Sequence, residues 1–194
     1  MIREIVQIGD PVLKQTAKRV HRIDDSVKRL IADMIDSMHD VSGIGLAAPQ
    51  IGVPLRVIVT NVEDDLRVLV NPEITWMSEE TDVAEEGCLS IRGYAGPVER
   101  AMQVHIRALN DRGKKVKIKT DEWFARCLQH EIDHLNGILY IDRVEDKNAI
   151  HRVDTDFEVE PGDESAGDEP RDDDAEANRE DSGKATVARA TAKS

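Results

Sequence analysis

No stretch of this chain approaches the ~20 consecutive apolar residues that a membrane-spanning helix requires. The N-terminus, Met-Ile-Arg-Glu-Ile, lacks the apolar core of an export signal, so a cytoplasmic location is expected. Cysteine is scarce as well: only Cys88 and Cys127 are present. In a reducing compartment two thiols serve as ligands, nucleophiles or packing rather than as a disulfide. No internal repeat is visible. Positive charge is in deficit, with 26 Lys and Arg against 39 Asp and Glu, a formal net charge of -13. Such a chain repels phosphate backbones, which argues against non-specific nucleic-acid binding by charge.

The deficit is concentrated at one end. Residues 154–194 hold 14 acidic and 5 basic side chains, a net of -9, which leaves -4 for residues 1–153. Apolar periodicity stops near residue 153, and Phe157 is the only aromatic residue beyond it. A segment of Asp, Glu, Gly, Ser and Ala cannot bury enough apolar surface to offset its ordering entropy. The expected organisation is therefore one domain over 1–153 and an acidic, disordered tail over 154–194.

Within 1–153 the pattern is α plus β. Asp24, Asp25 or Ser26 can cap a helix whose apolar residues Val27, Leu30, Ile31, Met34, Ile35 and Met38 recur at offsets of three and four. Gly43 is its expected terminator. Short β-rich runs follow at 56–60, 67–70, 73–77, 104–109 and 115–119, the last two joined by a hairpin loop at Asn110-Asp111-Arg112-Gly113. A second helix begins near Asp121 and should stop at Gly137. Strands before and between two helices, without regular βαβ alternation, predict an α+β fold. Its sheets, mixed or antiparallel, would pack around that second helix, with the first helix beside them.

The second helix carries His130-Glu131-Ile132-Asp133-His134. The i, i+4 spacing puts both imidazoles on one face, a turn apart, where they can share an ion. Glu131, offset by about 100° from His130, can reach a water on that ion from the side. Trp123, Phe124, Leu128, Ile132 and Leu135 are enough to bury the helix, and buried imidazoles and an acid need a reason for their cost. Three protein ligands with one open position make a catalytic site, so a third ligand is needed. Tyr140 stands where a metzincin supplies its third histidine, and a downstream Glu would have to come from the acidic tail. Cys127 lies on the histidine face, but its Cα is about 10.5 Å along the axis from that of His134, which suits packing better than ligation. Cys88, in Glu85-Glu86-Gly87-Cys88-Leu89-Ser90, remains. As a nucleophile it would make a thiol hydrolase, but that leaves Glu131 and the histidine pairing without a role, so a thiolate ligand is favoured.

The stretch from Gly43 to Gly52, Gly-Ile-Gly-Leu-Ala-Ala-Pro-Gln-Ile-Gly, fails as a dinucleotide fingerprint and lacks a P-loop lysine. Its small residues followed by the Gln50 amide suit a narrow site with a hydrogen-bond donor. Together, the segments 43–50, 86–90 and 130–134 resemble, in order and spacing, the three motifs of the peptide deformylases, and the similarity runs from about residue 2 to 150. H-E-x-x-H alone is widespread among metalloproteases, whereas H-E-x-D-H with an upstream E-G-C-L-S is specific.

The resemblance implies removal of the formyl group from the N-terminal methionine of nascent polypeptides, with release of formate. It implies that Cys88, His130 and His134 bind Fe²⁺, for which Zn²⁺ or Ni²⁺ can substitute. It also implies that Gln50 and the Leu89 N–H stabilise an oxyanion while Glu131 moves the proton. The methionine side chain is expected against Ile44, Gly45, Trp123 and Cys127. Two features depart from the family pattern: Arg92 replaces a common proline after E-G-C-L-S, and the acidic tail has no counterpart. No direct nucleic-acid or membrane partner is expected.

Overall fold

The computed structural model describes residues 1–153; the expectation of a disordered tail over 154–194 lies outside the described residues. Helix α1 is Asp25–Asp40, capped by Asp24, whose carboxylate accepts from the N–H groups of Ser26 and Val27. The Gly43 N–H donates to the Met38 carbonyl at 2.9 Å, closing the helix where the glycine was expected to close it. Strand β1 is Gly45–Ala47, β2 Val57–Val62 and β3 Asp65–Met77, followed by β4 Thr81–Cys88, β5 Ile91–Ala101, β6 Gln103–Leu109 and β7 Lys115–Asp121. Helix α2 is Glu122–Leu135, α3 is the single turn Tyr140–Arg143, and β8 is His151–Arg152.

The strands form two antiparallel sheets, one ordered β1-β2-β3-β6-β7 and the other β4-β5-β8. The five-stranded sheet is covered on both faces, and alternation along β2 shows how. Ile58 packs with Leu128, Ile132 and Leu135 of α2, while Val57 and Val59 pack with Ile31, Met34 and Met38 of α1. A strand buried on both sides reads as a near-continuous apolar run, which is what Val57-Ile58-Val59 is. Each of these side chains, fully buried, contributes roughly 1.5–3 kcal/mol of hydrophobic stabilisation. A third cluster, of Leu13, Ile91, Val98, Leu139, Tyr140 and Val144, fastens β5 and α3 to each other.

The architecture is the expected α+β arrangement around α2, with three corrections. The runs 67–70 and 73–77 belong to one strand, β3, whose pairing with β6 shifts register between Val70 and Glu73. Pro72 cannot donate to a ladder, and Asn71 sits at φ +52°, its side chain accepting from the Val20 N–H and donating to the Val20 carbonyl at 2.8 Å each. The glycine-rich stretch supplies β1 rather than only a loop. The long hairpin β4–β5 was not anticipated at all.

Candidate metal centre and active site

Helix α2 presents the histidine pair because its opposite face is apolar: Ala125, Leu128, Ile132 and Leu135 are buried against the sheet. The helix ends at Gly137, whose φ of +74° and position 2.7 Å (as a notional Cβ) from the Lys14 carbonyl oxygen admit no side chain. Strand β4 delivers Cys88 at its C-terminal end, where a register shift between Gly87 and Cys88 leads into the turn through Leu89 and Ser90. Arg92 points to solvent, so its replacement of a proline leaves that turn formed.

Cys88 Sγ lies 3.3 Å from His134 Nε2, and one donor atom from each of Cys88, His130 and His134 falls within 4.8 Å of the others. One thiolate and two imidazoles around a tetrahedral ion, with bonds of about 2.3 and 2.1 Å, stand roughly 3.6 Å apart, so the set fits a transition metal. The chemistry agrees with the geometry. Burial opposes charge on His130, but the Cys88 thiolate and the Glu86 carboxylate outweigh it and raise its pKa to about 10. His134 is held well below its ordinary value by burial and by repulsion from His130 and Arg100, and so stays the neutral imidazole that ligation requires.

Glu86 orients His130. Its Oε2 receives His130 Nδ1 at 2.9 Å, which leaves Nε2 for ligation. Arg100 donates from Nε to Oε1 and from Nη2 to Oε2, and Arg126 Nη1 donates to Oε1, each at 2.9 Å. Burial would raise the Glu86 pKa, but Arg100 and His130 lower it to about 2. Arg100 also reaches Asp133, which is gripped again by Arg143. Glu86, Arg100, Arg126 and Asp133 were given no role from the sequence. Two of them stand inside quoted motifs, Glu86 in E-G-C-L-S and Asp133 in H-E-x-D-H, and that was the only available signal.

Glu131 is buried over β1. A Cβ at Gly45 would stand 2.9 Å from Glu131 Cδ and closer still to Oε1, so only glycine lets this carboxylate occupy its place. Burial raises its pKa to about 7, with the His130 charge opposing. Gln50 lies in a 3₁₀ turn, Ala48–Ile51, and its Oε1 accepts from the Ala47 N–H at 2.8 Å. That bond fixes the amide so that Nε2 faces Cys88 Sγ at 3.6 Å and Ser90 Oγ at 3.3 Å. Leu89 follows Cys88 in the turn, its side chain against Gly43. The structure thus gathers Cys88, Leu89, Gln50, Glu131 and both histidines into one place. The expected methionine contacts are looser: Cys127 is buried with Sγ 3.9 Å from the Ile44 carbonyl, while Ile44 and Trp123 are 41% and 53% exposed.

Fold and site together match the class of hydrolases built on a metal-binding helix, with a buried carboxylate and a side-chain amide beside the candidate donor atoms. Residues 2–149 match the family model described as polypeptide deformylase, and the chain belongs to that family. It is 49% identical over 146 residues to the peptide deformylase of Natranaerobius thermophilus, covering 75% of this chain and 94% of the relative. It is equally 49% identical over 143 residues to that of Dictyoglomus thermophilum, covering 74% and 93%. The crystal structure of the Thermotoga maritima peptide deformylase superposes with a TM-score of 0.74 at 41% identity, over 75% of this chain and 99% of that one. A Synechococcus elongatus peptide deformylase in complex with actinonin gives 0.74 at 42% identity, over 76% and 81%. The chain is accordingly a metal-dependent hydrolase that removes the formyl group from N-terminal formyl-methionine.

Proposed function

We propose that Cys88, His130 and His134 hold one Fe²⁺ ion, replaceable by Zn²⁺ or Ni²⁺, and that Glu131, Gln50 and Leu89 perform the remaining work of deformylation. The convergence of the three donor atoms within 4.8 Å carries this reading. When bound, the ion supplies Lewis acidity, polarising the formyl group and acidifying the attacking water. Glu131 accepts the proton as the water oxygen bonds to the formyl carbon. A group whose pKa is raised to about 7 can both take that proton and return it near neutral pH. The Gln50 Nε2 amide and the Leu89 backbone N–H donate to the oxyanion that develops. Glu131 then delivers its proton to the leaving amine as the C–N bond breaks, giving formate and a free methionyl amine.

Selectivity follows from size. A formyl carbon carries hydrogen where an internal amide carries a chain, so a site closed tightly around the donor atoms excludes ordinary amides. The methionine side chain lies along Ile44, Gly45, Trp123 and Cys127. The substrates are nascent formyl-methionyl polypeptides, met in the cytoplasm, and no direct nucleic-acid binding is expected.

The deciding experiment measures formate release from a formyl-Met peptide by protein prepared without oxygen, before and after chelation. Activity should vanish with the chelator and return with Fe²⁺, and with Ni²⁺ or Zn²⁺ to differing extents. Cys88→Ser should lower metal occupancy. Turnover that survives complete metal removal would overturn the assignment.

A further inference from the structure

Among the described residues four buried side-chain atoms have no hydrogen-bond partner in the protein: Thr60 Oγ1, Glu131 Oε2, His134 Nδ1 and Tyr140 Oη. Buried polar atoms are ordinarily paired with protein or with ordered water. Thr60 stands apart from every sequence motif at the site, yet its position in the sheet leads there. It is fully buried in β2 and pairs directly with Gly45 of β1. Directly opposed residues carry their side chains on the same face, with Cβ positions about 4.5–5.5 Å apart. That face is the one toward α2, because Ile58, two residues earlier, packs on Leu128 and Ile132. Glu131 occupies the same face, with Cδ 2.9 Å from the Cβ position that Gly45 leaves empty. Two partnerless polar groups therefore flank one glycine.

We propose that Thr60 is a positioning residue for Glu131: a single buried water accepts from the Thr60 hydroxyl and donates to the Glu131 carboxylate. The bridge gives the Thr60 hydroxyl its missing partner and anchors the Glu131 carboxylate, whose Oε1 is the oxygen nearest Gly45. It fixes the carboxylate from below, on the strand side, while the carboxylate works on the substrate. Gly45 then has a second consequence, since the missing side chain leaves the path between the two groups open. This inference rests on Glu131 being the base.

The test uses the full, metal-loaded chain with Thr60→Val, which keeps the shape and removes the hydroxyl, and Thr60→Ser, which keeps the hydroxyl. Thr60→Val should lower kcat on a formyl-Met peptide by about tenfold, the worth of one hydrogen bond to a charged group. KM and metal content should stay unchanged, Tm should fall, and Thr60→Ser should stay within about twofold of wild type on the same reasoning. In a Glu131→Gln background Thr60→Val should cost nothing further in kcat, because the two act as a unit. A rise in Tm with unchanged kcat would mean an isolated hydroxyl and would overturn the proposal. So would a fall in Tm without loss of kcat, or full additivity in the double variant. Retention of turnover by Glu131→Gln alone would instead strike at the base assignment, so the two failures are distinguishable.

Discussion

Glu131 is placed where a carboxylate is least comfortable, buried over β1 with Oε2 lacking a protein partner, and this discomfort suits it to the proposed role of base. Glu131→Gln should reduce kcat by at least about a thousandfold, the scale of general acid–base catalysis, with bound metal unchanged by elemental analysis. The same substitution has an opposite effect on stability. The folded pKa of about 7 exceeds the ordinary 4.5, so the contribution of this group is full below pH 4.5 and is lost as pH rises through 7. In chelated protein the wild type should therefore lose about 3 kcal/mol more than Glu131→Gln between pH 4 and pH 8. Urea denaturation at the two pH values measures the difference. Equal losses would mean that the carboxylate is not held in a desolvated place.

At the scale of elements, β1 and α2 meet through one missing side chain. Gly45→Ala inserts a methyl into the space of the Glu131 carboxylate, which is the far end of a flexible side chain and can swing away. The backbone at Gly45 is ordinary extended strand, so stability should change by less than about 1 kcal/mol, whereas kcat should fall at least tenfold. A stability loss without a kcat loss would show that the helix moved and the carboxylate did not.

What the sequence made legible follows the same division. Helix α2 could be read with its candidate ligands because apolar spacing and the i, i+4 histidines are local signals, and the thiol could be chosen by elimination. The β4–β5 hairpin could not be read. Thr81-Asp82-Val83-Ala84-Glu85-Glu86-Gly87 is mostly exposed and shows no alternation, and β5 contains Gly93, Gly96 and Pro97, which signal turns. The charged support was equally hidden. Glu86 looks like a surface acid until Arg100 and Arg126, 14 and 40 residues away, are brought beside it.

Across the described residues, that charge network ties β4, β5, α2 and α3 together. Arg100 of β5 holds Glu86 of β4 and Asp133 of α2, and Asp133 in turn holds Arg143 of α3. Arg100→Leu would leave two buried carboxylates short of a partner, so it should destabilise the fold by about 3–5 kcal/mol. Thermal unfolding checks this, and a loss under 1 kcal/mol would mean that Arg126 and Arg143 suffice. Among the described residues, 1–153, the three apolar clusters and the three donor atoms of the site are already assembled. The family match ends at residue 149. The acidic segment beyond residue 153 shifts the net charge from -4 to -13, and at physiological salt a charge effect on a neutral formyl-peptide site decays within about 8 Å. A chain ending at Val153 should therefore keep its Tm within about 2 °C, the shift of a change under 1 kcal/mol. Its kcat/KM on a short formyl-Met peptide should stay within twofold. A larger drop in kcat/KM with unchanged Tm would assign the acidic segment a part in substrate handling, and a drop in both would make it part of the folded enzyme.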